Sequence, residues 1–139
     1  MALSASKLKV GDTHTARLVE DLKRTQIVQY AGASGDYNPL HTDQEFAVKI
    51  AGYPGVFAHG MLTMGMTGRV LTDWFGVEAL KNYGVRFVKQ VFPGDKLTAT
   101  AEVTAVREDG GQRLADISVS TVNQDGDAVL TGTATVRLS

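Results

Sequence analysis

From Val56 through Gly68 the chain carries no Asp, Glu, Lys or Arg, and the apolar positions run on to Phe75. A helix that lacks a polar face is one buried on every side. Gly60, Gly65 and Gly68 give that helix places where another backbone can come close. Downstream the period changes to two. Leu97, Ala99, Ala101, Val103 and Ala105 alternate with Thr98, Thr100, Glu102 and Thr104. Ala115, Ile117 and Val119 alternate with Asp116, Ser118 and Ser120, and Leu130, Ala134, Val136 and Leu138 with Thr131, Thr133, Thr135 and Arg137. Each run has the signature of a half-buried antiparallel strand. Asp109-Gly110-Gly111 and Asp125-Gly126-Asp127 supply the hairpin turns between them. With an earlier strand around Tyr83 to Val88, the pattern predicts an α+β fold: a curved antiparallel sheet wrapped around one long central helix.

The first half of the chain reads as shorter pieces. A first strand is expected over His14 to Glu20, after the Gly11-Asp12 turn. Ile27, Val28 and Ala31 are at helical spacing within Thr25 to Ala33, and Gly32 and Gly35 are expected to break that helix. Ser34 to His41 is loop by chemistry, because Pro39 pushes Asn38 out of the α region. Thr42 followed by Glu45 fits a capping box for a second short helix through Phe46, Ala47 and Ile50, ending near Gly52. No linker or internal repeat divides residues 1–139, which are read as a single domain.

Composition narrows the chemistry mainly by exclusion. The net charge is −1 and the basic residues are scattered among acids, so no stripe answers a phosphate backbone and nucleic acid is not an expected partner. The absence of cysteine removes disulfides, thiolate metal sites and a thiol nucleophile. His14, His41 and His59 show no zinc-like spacing, and the glycines form no nucleotide fingerprint, so neither metal nor cofactor is expected. The first residues, MALSASKLKVGD, lack the apolar run of a signal peptide, and no segment approaches the length of a membrane span. No membrane association is expected, and the expected location is the cytoplasm.

One loop concentrates the remaining chemistry: Asp36, Asn38 and His41 fall within six residues. Asp and Asn ahead of a proline are common turn formers, and a turn alone would account for them. The spacing says more. Gly35-Asp36-Tyr37-Asn38-Pro39-Leu40-His41 resembles the motif G-D-x-N-P-x-H of the MaoC-like (R)-specific enoyl-CoA hydratases, and Ala58-His59-Gly60-Met61-Leu62 follows in the family's order. The stretch Ala58 to Gly65, together with Tyr83-Gly84-Val85-Arg86-Phe87, is similar to the catalytic subunit of actinobacterial (3R)-hydroxyacyl-ACP dehydratases. The resemblance implies a hot-dog fold, in agreement with the periodicity, and an acyl-CoA or acyl-ACP substrate.

Adding water to an enoyl thioester requires a base for the water, an acid for the α-carbon and stabilisation of an enolate-like oxygen, and His is suited to act as base near neutral pH. By the resemblance, His41 and Asp36 hold the water, His41 takes its proton, and Asp36 orients it and shares in protonating the α-carbon. The backbone N–H of Gly60 is then the oxyanion donor, supported by the positive end of the helix dipole. Asn38 and Pro39 hold the loop. His59 is read as a hydrogen-bonded structural residue, His14 as solvated on an edge strand, and Met61, Met64 and Met66 as core. Two rivals remain: a hot-dog thioesterase, disfavoured because the first acid after Gly60 is Asp73, and a subunit that binds acyl thioesters without turnover. The resemblance also implies at least a dimer, since hot-dog domains pair so that their sheets run together and cover the exposed edge, with an identical chain or with a related non-catalytic hot-dog subunit.

Overall fold

The computed structural model describes residues 7–138. Its regular elements are β1 (Thr13–Val19), α1 (Arg24–Ser34), a single π-helical turn (Phe46–Ile50), α2 (Gly60–Phe75), a short 3-10 turn (Val77–Ala79), β2 (Leu80–Phe87), β3 (Leu97–Asp109), β4 (Gln112–Val122) and β5 (Ala128–Leu138). The five strands form one antiparallel sheet in the order β1-β3-β4-β5-β2. The period-two runs account for its inner face. Leu97, Ala99, Ala101 and Val103 of β3 are fully buried, as are Ala115 and Ile117 of β4 and Val136 of β5, while the threonines and serines between them are more exposed. The predicted α+β wrap is the observed one.

α2 lies across this face over two apolar clusters. Val70, Leu71 and Trp74 meet Ala99, Ala101, Ile117 and Val136, while Leu62 and Met66 meet Ile27 of α1, Leu97, Val129 and Leu130. Between them the buried hydroxyls of Thr67 and Thr121 share a 2.6 Å hydrogen bond, which satisfies both groups where water is absent. On the other flank, Tyr83 of β2 donates its hydroxyl to the Met64 carbonyl at 2.8 Å. Burial pushes that phenol up to about 12, so it stays a donor.

Four local expectations need correction. α2 is not buried on every side: Met61, Gly65, Arg69 and Asp73 form an outward stripe, Met64 is half-buried, and only Met66 of the three methionines belongs to the core. Arg69 and Asp73 keep their charges in solvent, and Met61 and Gly65 lie on the same face at four-residue spacing. Gly32 lies inside α1, because a lone helical glycine costs only about 1 kcal/mol and the burial of Ile27 and Ala31 outweighs it. The break comes at Gly35, whose φ of 76° sends its N–H back to the Ala31 carbonyl.

The second short helix is capped by Asp43, whose Oδ1 accepts from the Phe46 N–H at 3.1 Å, and not by a Thr42/Glu45 box. The Pro39 carbonyl accepts from the N–H groups of Thr42 (3.3 Å) and Asp43 (2.9 Å), which moves the helix start one residue along. Finally, His14 is not simply solvated. It is half-buried on β1, with its ring 5.6 Å from that of Trp74.

Candidate active site

The loop after α1 is built from consecutive side-chain-to-backbone turns. Ser34 Oγ accepts from the Asp36 N–H (3.2 Å), Asp36 Oδ1 from the Asn38 N–H (3.2 Å), and Asn38 Oδ1 from the Leu40 N–H (3.0 Å). The Asn38 carbonyl then accepts from the His41 N–H at 3.0 Å. Short polar side chains bonding two residues ahead replace a ladder the loop cannot form. The Phe57 N–H ties the Leu40 carbonyl to the segment leading into α2, at 3.3 Å.

This wiring leaves particular atoms free. Asp36 Oδ1 serves the loop, so Oδ2 is available. His41 Nδ1 lies 2.6 Å from the Phe57 carbonyl oxygen. A carbonyl can only accept, so Nδ1 carries the hydrogen, and in the neutral ring Nε2 presents its lone pair. That lone pair faces Asp36 Oδ2 across 4.0 Å, with the His41 side chain 11% and the Asp36 side chain 54% exposed. The gap is too long for a direct hydrogen bond and is of the size that a water bridges.

The other side of the site is the start of α2. His59 is the residue before the helix, and its side chain does not cap it. The Gly60 and Met61 N–H groups, in the first turn, have no intrahelical acceptor. Gly60 opens onto an apolar cavity of about 250 Å³, whose wall includes Phe57, Thr63, Phe87, Val91 and Val129. Phe87 leans its ring tip over Gly60, so that a Cβ there would meet it at 3.0 Å. Neither Asp36 nor His41 belongs to the wall of this cavity. They reach its rim through Phe57, whose carbonyl holds His41.

His59, expected as a hydrogen-bonded structural residue, is one: its Nε2 lies 3.0 Å from the Asp36 carbonyl oxygen. It is buried and stacked on His41, ring centroids 3.8 Å apart and planes 24° from parallel. Phe57 was not singled out at all, and no signal in the sequence could have pointed to it, because its contribution is a backbone oxygen. Asp36, His41 and His59 each bring one ligand-type atom within 4.8 Å of the others. The donor set nevertheless suits a cation poorly. The two rings lie nearly face to face, so their in-plane lone pairs run side by side and do not converge on one point.

Comparisons with known proteins show the family to which the chain belongs. Residues 6–124 match the MaoC like domain. The chain is 34% identical to the (R)-specific enoyl-CoA hydratase of Aeromonas caviae over 138 residues, covering 98% of this chain and 99% of that one. It is 31% identical to the mitochondrial 3-hydroxyacyl-[acyl-carrier-protein] dehydratase of Arabidopsis thaliana, covering 97% of this chain and 80% of the relative. Among solved structures, the ChsH1-ChsH2 complex of Mycobacterium tuberculosis superposes with a TM-score of 0.79 at 29% identity, covering 94% of this chain and 98% of the other. Among the described residues no helix is long and apolar enough to cross a membrane. A five-stranded sheet wrapped on one helix, with relatives that hydrate enoyl thioesters or dehydrate 3-hydroxyacyl thioesters, places this chain in the MaoC-like family of hot-dog hydratases and dehydratases.

Proposed function

We propose that this chain itself catalyses the reversible addition of water to a trans-2-enoyl thioester, giving the (R)-3-hydroxyacyl thioester, with Asp36 and His41 as its acid/base pair. The supporting observation is the pair of acceptor atoms, His41 Nε2 and Asp36 Oδ2, facing each other at 4.0 Å. A water placed there donates one hydrogen to each. Two bonds of about 2.8 Å drawn to acceptors at that spacing open at roughly 90°, close to the angle between water's own O–H bonds. Its oxygen lone pairs then point away from the pair, toward a β-carbon.

As that oxygen bonds to the β-carbon, His41 Nε2 takes one proton and the thioester carbonyl gains enolate character. The Gly60 N–H stabilises this oxygen from the positive end of α2. The pair returns a proton to the α-carbon, so that OH and H are added in net and both side chains end as they began. Dehydration runs the same steps backward. Asn38 and Pro39 keep the loop in the shape that sets the gap, and no step calls for a cofactor. The cavity beside Gly60 takes part of the acyl thioester, carried on CoA or on acyl carrier protein.

Asp36 is half exposed, and Met61, Phe87 and Val88 present large apolar surface around the mouth of the site. The outer edge of β2 has no neighbouring strand among the described residues. A second hot-dog subunit, identical or related, would cover both, as unpaired edges and apolar patches require. The thioesterase alternative lacks its carboxylate here: Asp73 sits exposed in the last turn of α2, far along the helix from Gly60.

Incubating the purified protein with crotonyl-CoA tests the reading. The expected result is loss of the conjugated double bond with formation of (R)-3-hydroxybutyryl-CoA. Release of free thiol without a hydroxyacyl product would favour hydrolysis instead.

A further inference from the structure

Beneath the acid/base pair lies a histidine that the proposed reaction does not use. His59 is 2% exposed, and its Nε2 lies 3.0 Å from the backbone carbonyl oxygen of Asp36. Because a carbonyl only accepts, Nε2 carries the hydrogen. The other ring nitrogen, Nδ1, is buried with no hydrogen-bond partner among the described residues. An unpartnered buried nitrogen is costly, and a residue chosen for packing alone would avoid it. One face of the ring stacks on His41 at 3.8 Å, and the edge of the assembly is closed by Tyr30 of α1, 4.8 Å away in a T-shaped contact. His41 thus faces Asp36 across the gap, His59 in the stack and the Phe57 ring edge-on at 5.3 Å, with Tyr30 behind His59.

We propose that His59 is a positioning residue: its Nε2–H ties down the Asp36 backbone while its ring backs the His41 ring, so that carboxylate and imidazole are held one water apart. The inference rests on the hydration reading above. A single side chain touches both members of the pair, one by hydrogen bond and one by stacking. It is itself anchored directly before α2, where the His59 carbonyl accepts from the Leu62 and Thr63 N–H groups. The gap between Asp36 and His41 is thereby referred to the same rigid helix that presents the Gly60 N–H.

Two substitutions separate positioning from packing. His59→Phe keeps a ring in a buried apolar setting but has no donor for the Asp36 carbonyl. His59→Gln loses the ring but keeps an amide N–H of similar reach. The expected result is a kcat about 100-fold lower for His59→Phe, KM changing by less than about threefold, with His59→Gln recovering to within about tenfold of the wild type. A packing role predicts the reverse order, with the aromatic variant the more active and the more heat-stable. That order, or kcat within about threefold of wild type for a folded His59→Phe, would overturn the proposal.

A crystal structure of unliganded His59→Phe tests the geometry without turnover: the separation of His41 Nε2 and Asp36 Oδ2 should widen beyond 4.0 Å by about 1 Å. An unchanged separation would also overturn it. If the wild type hydrates no enoyl thioester, the hydration reading fails, and this distance still decides whether His59 sets the gap.

Discussion

Asp36 divides its carboxylate between two tasks, one oxygen holding the Asn38 N–H and the other facing His41. The motif made this pair legible in the sequence, because loop chemistry around Pro39 pins side chains that lie five residues apart. What could not be read was the atom-level assignment, which depends on the Phe57 carbonyl, and the stack of His59, which joins residues distant in sequence. A residue of a different kind shows how little most surface charges contribute. Asp116 is held below the usual carboxylate range, first by its hydrogen bond from Arg107, a two-point contact at 2.9 and 3.2 Å, and then by Thr135. A lowered carboxylate stabilises the fold fully above its unfolded value and loses that contribution as pH falls through the folded one. The contact is largely exposed and screened, so the effect is small. Denaturant titrations at about pH 5 and about pH 2 should therefore show the wild type losing slightly more stability than Asp116→Asn between the two. An equal loss would remove the ion pair from the stability of the sheet.

At the scale of elements, strands were the most legible. Period-two alternation is local, and β3, β4 and β5 fall where it places them, with both turns at the Asp/Gly clusters. The helices were harder, because what settles them is tertiary: the packing of Ile27 and Ala31 carries α1 through Gly32, and the Pro39 carbonyl shifts the next helix start to Asp43. The start of α2, the proposed oxyanion site, can be tested in isolation. Gly60 is the first helical residue, a position where proline is tolerated, and His59 already has φ −58° and ψ 135°, the conformation favoured before proline. Gly60→Pro thus deletes the N–H while sparing the helix. Its ring would press on Phe87, so the comparison belongs in a Phe87→Ala background. There, Gly60→Pro should lower kcat by roughly 10²–10³, with the helix intact by circular dichroism, as for removal of one oxyanion donor. Unchanged kcat would move the oxyanion site away from α2.

For the whole molecule, the wrap of sheet on helix followed from hydrophobic pattern alone. The outward stripe of α2 did so only in part, because Arg69 and Asp73 announce it while Met61 and Gly65 are no more polar than their buried neighbours. Met61, Gly65, the β2 edge and the open side of Asp36 are what the proposed second subunit would cover. With an identical second subunit, native mass spectrometry of the purified chain should give twice its 14.9 kDa, and Met61→Glu should shift the population toward single copies with a parallel loss of turnover. A fully active single copy would contradict this. The central claim, that one carboxylate and one imidazole act on a single shared water, is tested most directly by kcat for Asp36→Asn, His41→Ala and the double variant on crotonyl-CoA. Each single change should cost at least about 10²–10⁴, and the double variant should lose little more than the worse of the two, because the second substitution acts on a water already lost. Losses that multiply would contradict the account and show that the two side chains act independently.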